Sequence, residues 1–145
     1  LRTKEHFSER AAVGAIELKV CTEQDFDILG DEVLVELLLS NLTENALKAC
    51  RKVLDRPRTV ELGAIIHGED RVLFVRDSGV GMTEDQLAHI TEPFYRTDRS
   101  RSRGEGGTGL GLSLCARIAE AHHATLKFQS VPEKGTTVFV TFTTP

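Results

Sequence analysis

The stretch Gly106-Gly107-Thr108-Gly109-Leu110-Gly111-Leu112 decides how this chain is read. Alternate glycines run directly into an apolar helical pattern. Such a loop has little side chain in the way, so its backbone N–H groups can approach a polyphosphate. The helix that follows turns its positive end toward the anion. Four arginines lie just upstream, Arg96, Arg99, Arg101 and Arg103. A mobile Gly/Arg surface loop would carry the same composition, so the rest of the chain has to decide between the two.

Outward from that loop the elements read as follows. Gly14–Cys21 alternates like a short strand. Gly30-Asp31 opens a long helix with Asp31 as N-cap, and Val35, Leu38, Leu39, Leu42, Ala46, Ala49, Cys50 and Val53 form its core stripe. Thr59–His67 and Val72–Asp77 read as strands joined by a turn at Gly68-Glu69-Asp70. Thr83–Ile90 is a short helix capped by Thr83, with Gln86 as capping-box partner. Leu110–His122 is a further helix. Thr125–Ser130 and Thr136–Thr143 are the last strands, connected by Pro132-Glu133-Lys134-Gly135. The order β-α-β-β-α-loop-α-β-β, with hairpin connections, predicts an α+β fold: a two-layer sandwich with helices packed on a mixed sheet, not a doubly wound parallel sheet.

Composition narrows the class. At 145 residues, 40% hydrophobic and 28% charged, the chain suits one globular domain with a real core. A net charge of −4 does not point to nucleic acid or to an anionic membrane surface. No apolar run reaches transmembrane length, and no signal-peptide pattern is present. Cys21, Cys50 and Cys115 are widely spaced and fit a reducing compartment; Cys50 and Cys115 fall on apolar helical faces. No His or Cys pair has zinc-ligand spacing. His122-His123 reads as a solvated helix end.

Two further clusters carry chemistry. Asn41, Glu44, Asn45 and Lys48 share one face of the long helix, beside the core stripe. An Asn carbonyl oxygen suits a hard cation, Lys a phosphate, and Glu a proton or a metal-bound water. The plain alternative is a solvated face with a Glu44–Lys48 pair. The second cluster, Asp77-Ser78-Gly79-Val80-Gly81-Met82, puts a carboxylate at a strand end before two glycines, where it can accept from an exocyclic amine. An ordinary strand-to-helix turn would look similar.

Together and in this order, these segments resemble the nucleotide-binding domain of sensor histidine kinases in the GHKL (Bergerat-fold) ATPase superfamily, over roughly residues 14–144. Asn41-Leu-Thr-Glu-Asn45-Ala-Leu-Lys48 resembles the N box, Asp77-Ser-Gly79-Val-Gly81-Met82 the G1 box, Glu92-Pro-Phe94-Tyr-Arg96 the F box and Gly106–Leu112 the G2 box. Gly135-Thr136 matches a glycine–threonine element beside the adenine site. The resemblance implies ATP and Mg²⁺ as ligands. It makes Asn45 the metal ligand, puts Asn41 and Lys48 at the phosphates, and gives Asp77 the adenine amine, with Thr136 assisting through a water. Gly79, Gly81 and Met82 would shape the base pocket. Residues 95–109 would form a lid anchored by Phe94, with Arg96 or Arg99 near the phosphates. Gly107, Thr108, Gly109, Leu110, Gly111 and Leu112 would cap them. Glu44 would polarise the nucleophile.

ATP-hydrolysing relatives in the superfamily carry Glu where Asn41 stands, so water activation should be weak and a histidine should receive the phosphate. No phosphoacceptor motif occurs: His6 precedes Phe7, His67 precedes Gly68 and His89 precedes Ile90. The expectation is one catalytic, ATP-binding domain over 1–145, with 1–13 a linker remnant and no dimerisation and phosphoacceptor domain. The acceptor histidine would come from that separate domain of a homodimeric, membrane-anchored bacterial parent. The catalytic domain itself would be cytoplasmic and monomeric, and a response regulator would take the phosphate. Competing readings are a docking module in an ATPase fold, or an anti-sigma-type serine kinase. Two departures stand out. The family's glycine pairs are replaced around Ala121-His122-His123-Ala124, and Ala49 stands where many relatives carry an aromatic.

Overall fold

The computed structural model describes residues 16–22, 30–92 and 111–143. Strand β1 (Glu17–Thr22) leads to helix α1 (Glu32–Arg51). The hairpin β2 (Thr59–His67) and β3 (Asp70–Asp77) follows, then helix α2 (Glu84–His89), helix α3 (Gly111–Ala121), and the hairpin β4 (Ala124–Val131) and β5 (Gly135–Thr143). The five strands form one sheet in the order β1-β2-β3-β5-β4. Only β1 and β2 run parallel, with α1 as their crossover; the other pairs are antiparallel. The mixed sheet packed by helices is the α+β sandwich that the sequence predicts.

Local chemistry explains the boundaries. Asp31 caps α1: its Oδ1 accepts from the N–H groups of Val33 at 2.9 Å and Leu34 at 3.1 Å. Glu32 sits in the first turn of α1, and Lys48 and Arg51 in the last, each on the side the helix dipole favours. Thr83 and Gln86 form a reciprocal capping box at the start of α2. The β2–β3 turn is tighter than expected. Asp70 pairs with His67, so only Gly68 and Glu69 span it and β3 gains Asp70 and Arg71.

The core lies between α1, α3 and one face of the sheet. Leu38, Leu42, Leu47, Val60, Val75, Val140, Cys50 and Cys115 are its fully buried members. Burial of each Leu or Val stabilises the fold by about 1.5–3 kcal/mol before entropy is counted. β4 alternates between half-buried and exposed positions, as a strand with one wet face should. On the opposite face of the sheet Phe74 lies over Gly63, and the Arg76 guanidinium stands 5.2 Å from the Phe74 ring centroid.

α1 and α3 run antiparallel. Gly111 lies beside Asn41, the Cys115 thiol faces the Leu38 carbonyl, and His122 meets Asp31. This corrects the reading of His122 as a solvated helix end. Its ring is half-buried, Nε2 accepts from the Asp31 N–H at 3.0 Å, and Nδ1 lies 2.8 Å from the Ile118 carbonyl. The turn after α3 is built without glycine: His123 takes a positive φ of 55°. Residues 1–13 lie outside the described ones.

Candidate functional site

Asp77 ends β3 on the helix-covered face of the sheet and is only 9% exposed. Its Oδ1 accepts the N–H of Gly79 at 2.8 Å. Burial pushes the carboxyl up to about 6, while the N–H groups of Gly79 and Thr136 pull it back. No cationic side chain is paired with it in the described structure. A buried carboxylate held only by amide N–H groups is open to a further donor.

The turn after Asp77 is held from three sides. Arg56, from the segment between α1 and β2, donates from Nη2 to the carbonyls of Ser78 at 3.0 Å and Gly79 at 2.7 Å. Ser78 exchanges backbone and side-chain bonds with Thr59: its N–H reaches the Thr59 carbonyl at 3.0 Å, and its Oγ accepts the Thr59 N–H at 2.8 Å. Gly79 rests on α1, and a Cβ there would come within 2.7 Å of the Ala49 carbonyl carbon. Ala49 thus fits the closely packed turn, and its small size leaves that turn room. Gly81 has a φ of 68° and lies against the Val131 carbonyl, where a Cβ would overlap. The β4–β5 connection closes the third side: Glu133 N–H bonds to the Val80 carbonyl at 2.6 Å, and Ser130 Oγ accepts the Met82 N–H at 2.8 Å.

The strand register places Thr136, 8% exposed, directly opposite Asp77 on β5, and Ser130 opposite Thr136 on β4. Three polar side chains therefore make one row across β3, β5 and β4.

On α1, Asn41, Glu44, Asn45 and Lys48 are all half-buried along the edge of the core stripe. Asn41 donates from Nδ2 to the Leu37 carbonyl at 3.1 Å, which leaves its Oδ1 pointing toward Gly111 at the start of α3. Glu44 and Lys48 form the predicted i,i+4 pair at 4.0 Å. A pair of that length and exposure contributes little, so Lys48 can turn to an anion at small cost. Asn45 has no hydrogen-bond partner among the described residues. The rise of 1.5 Å per residue separates Asn41 from Ala49 by about 12 Å along the helix. The strip thus runs from the Asp77 turn, where Gly79 packs on Ala49, to the start of α3, where Gly111 lies beside Asn41.

Gly111 is thus adjacent to this strip, and Leu112 packs against the core. Phe94, Arg96, Arg99, Gly107, Thr108, Gly109 and Leu110 lie outside the described residues. Sequence reasoning missed Arg56, Ser78 and Ser130. Arg56 sits in Asp55-Arg56-Pro57-Arg58, which has only the look of a polar connection, and each of the three reaches a main partner 19 or more positions away.

Comparison with known proteins fits this geometry. Residues 30–145 match the family model described as histidine kinase-, DNA gyrase B-, and HSP90-like ATPase. The chain belongs to this family, as the catalytic ATPase domain of the sensor histidine kinase type. It is 38% identical over 115 residues to sensor histidine kinase YkoH of Bacillus subtilis (strain 168), an alignment covering 79% of this chain and 24% of that protein. To signal transduction histidine-protein kinase BaeS of Escherichia coli (strain K12) it is 33% identical over 134 residues, covering 92% and 28%. The chain therefore spans about a quarter of the length of these relatives. Among solved structures, full-length ShkA in complex with AMPPNP superposes with a TM-score of 0.82 at 28% identity, over 99% of this chain and 29% of ShkA. The nucleotide-free catalytic domain of histidine kinase ThkA shares the fold, with a TM-score of 0.79 at 20% identity, over 98% of this chain and 87% of that one. Among the described residues no helix is long and apolar enough to cross a membrane.

Proposed function

We propose that this domain binds Mg²⁺·ATP along α1 and transfers the γ-phosphate to a histidine on a separate dimerisation domain, for relay to a response regulator. The observation that carries this reading is the Asp77 carboxylate, nine-tenths buried and held by two backbone N–H groups, in a turn whose Gly79 packs on Ala49, the residue next to Lys48 on the Asn, Glu and Lys strip of α1. Asp77 accepts the exocyclic amine of adenine, with Thr136 beside it. Gly79, Gly81 and Met82 shape the wall against which the base lies. Asn41 and Lys48 face the phosphates together with the start of α3 at Gly111 and Leu112, and Glu44 polarises the incoming nucleophile.

The residues present fit a Mg²⁺ ion. No group of three His, Cys, Asp or Glu among the described residues is arranged to hold a metal. Mg²⁺, however, is commonly held by one or two protein oxygens plus phosphate and water, and the Asn45 carboxamide, without a partner among the described residues, supplies such an oxygen. When bound, the ion would neutralise phosphate charge. Asn41 in place of a glutamate leaves that position without a base for water, which favours transfer to a positioned imidazole over hydrolysis. Phe94, Arg96, Arg99 and Gly107–Leu110 belong in this reading to a lid over the phosphates. Residues 1–145 act as one catalytic domain. The parent is homodimeric and anchored in the bacterial cell membrane, with this domain in the cytoplasm.

The test is calorimetric titration with a non-hydrolysable ATP analogue, with and without Mg²⁺. It is followed by incubation with labelled ATP and the histidine-bearing domain of the parent. Saturable, Mg²⁺-enhanced binding and label on that histidine are expected. Absence of binding at millimolar nucleotide would overturn the reading.

A further inference from the structure

Ser130 Oγ, on β4, meets three polar groups at once: the Met82 N–H at 2.8 Å, the Gly135 carbonyl at 3.0 Å and the Thr136 hydroxyl at 2.7 Å. The proton inventory of this cluster has one complete solution. The Met82 amide can only donate and the Gly135 carbonyl can only accept. A serine hydroxyl has a single proton and two lone pairs. Ser130 therefore gives its proton to Gly135 and accepts from Met82 and from Thr136. The alternative, Ser130 donating to Thr136, leaves the half-buried Gly135 carbonyl without this donor.

We propose that Ser130 is a positioning residue that fixes the Thr136 hydroxyl as an acceptor, so that the corner formed by Asp77 and Thr136 selects a 6-amino purine over a 6-oxo purine. This rests on the reading of Asp77 and Thr136 as base contacts. The consequence follows from the register. Asp77, Thr136 and Ser130 stand in one row on one face of the sheet. The ionised carboxylate offers only lone pairs. With its proton directed to Ser130, Thr136 Oγ1 also offers only lone pairs. A ligand edge, or a bridging water, that brings N–H or O–H donors finds partners there. A 6-oxo purine can still give its N1–H to the carboxylate, but its carbonyl then faces the lone pairs of Thr136 and is repelled. Without Ser130, the Thr136 hydroxyl is free to rotate its proton toward the ligand and satisfy a carbonyl. Ser130 also ties Met82, at the end of the glycine turn, to the same row, so loss of the hydroxyl releases two groups together.

The experiment measures Kd for non-hydrolysable ATP and GTP analogues by calorimetry on the full chain at pH 8, together with the thermal midpoint. Ser130→Ala should weaken ATP binding by about tenfold, the worth of one buried hydrogen bond. GTP binding should be unchanged or tighter, so the GTP/ATP Kd ratio falls. Ser130→Thr, which keeps the hydroxyl, should retain the ratio. An equal loss for both nucleotides, or a lower midpoint with the ratio intact, would reduce Ser130 to a structural role and overturn the proposal. If Ser130→Ala does not fold, Thr136→Val tests the same point: it must lower the ratio, and an unchanged ratio overturns the proposal. Asp77→Asn separates the two levels of inference. If it leaves ATP affinity and the ratio untouched, the base-pocket reading itself fails. If it collapses the ratio while Ser130→Ala does not, only the role of Ser130 fails.

Discussion

Nε2 of His122 accepts the backbone N–H of Asp31 at 3.0 Å, fastening the residue after α3 to the residue that caps α1. Because Nε2 accepts, Nδ1 is the nitrogen that donates, to the Ile118 carbonyl at 2.8 Å. Phe142 meets the same ring edge-on at 6.4 Å between centroids. One side chain thus joins both helices to β5, at the end of the helix pair away from the proposed base corner.

Gly30 lies directly against that ring, where a Cβ would overlap the imidazole. Gly30→Ala should cost about 1–3 kcal/mol through overpacking. His122→Ala should cost about 1 kcal/mol, the net worth of the Asp31 bond, whose exposed amide then turns to water, together with the lost packing of the ring on Phe142. The double variant should cost less than the sum by at least about 0.5 kcal/mol, since the clash vanishes with the ring. Urea unfolding of the four proteins measures the coupling, and strict additivity would mean that the ring moves aside freely.

Asp77 is held at the expense of stability. Its folded value of about 6 lies above the ordinary 3.8 because burial disfavours the charge. The native state therefore binds more protons than the unfolded chain between those values. The stabilisation is fully present below the ordinary value and is lost as pH rises through about 6. At neutral pH the deficit is on the order of 3 kcal/mol. Asp77→Asn should remove it, raising the stability of the nucleotide-free domain at pH 8 and flattening its rise toward pH 5. Urea unfolding at both pH values tests the sign; a wild type more stable at pH 8 than at pH 5, by a margin that Asp77→Asn abolishes, would contradict it.

The same ionisation should govern base binding. Below about 6 the carboxyl gains a proton and one acceptor oxygen is lost. Adenosine, which has no phosphate to titrate, should bind progressively more weakly, approaching tenfold per pH unit once Asp77 is mostly protonated. Calorimetry with adenosine from pH 8 to pH 5 tests this. A flat profile would separate Asp77 from the base.

Much of this architecture was legible because its signals are local. The Asp31 cap, the Thr83–Gln86 box and the period of Leu38, Leu42 and Ala46 each depend on residues within one or two helix turns. Asn41, Glu44, Asn45 and Lys48 could be placed on one face from spacing alone, and Asp77 stood out as a carboxylate ending an apolar strand. What could not be read were closures between distant segments. Arg56 reaches Gly79 across 23 positions, Ser130 reaches Met82 across 48, and His122 reaches Asp31 across 91. Each is a polar residue in a connection or at an element's end, where composition looks the same whether it is solvated or bonded. His122 shows the consequence: a residue expected in water closes the helix pair.

Arg56 is the clearest of these for function. Its guanidinium bonds both carbonyls of the turn that presents the Gly79 N–H to Asp77, and the side chain is largely buried there, 28% exposed. Arg56→Ala should lower stability by about 1.5–3 kcal/mol, the range for bonds to a charged group, and weaken adenine nucleotide binding in parallel. Arg56→Lys should recover only part of both: both bonds come from the one nitrogen Nη2, and the lysine side chain is one atom shorter, so its ammonium must shift to reach the two carbonyls. Thermal unfolding with and without nucleotide distinguishes the two effects, and an Arg56→Ala protein with wild-type affinity would show that the turn holds without it.

Asn45 tests the metal end independently of the base end. Its carboxamide is half-buried and has no partner among the described residues, so Asn45→Ala should change stability by less than about 0.5 kcal/mol. In the proposed arrangement it should nevertheless abolish the gain in ATP-analogue affinity that Mg²⁺ gives, while leaving Mg²⁺-free binding and adenosine binding at wild-type levels. Asn45→Asp, which keeps an oxygen ligand and adds charge, should retain the Mg²⁺ dependence and weaken binding without the metal, because the carboxylate then faces bare phosphate. Calorimetry with and without Mg²⁺ on the three proteins gives the answer. Equal Mg²⁺ enhancement in wild type and Asn45→Ala would move the metal to other ligands and leave the Asp77 corner untouched.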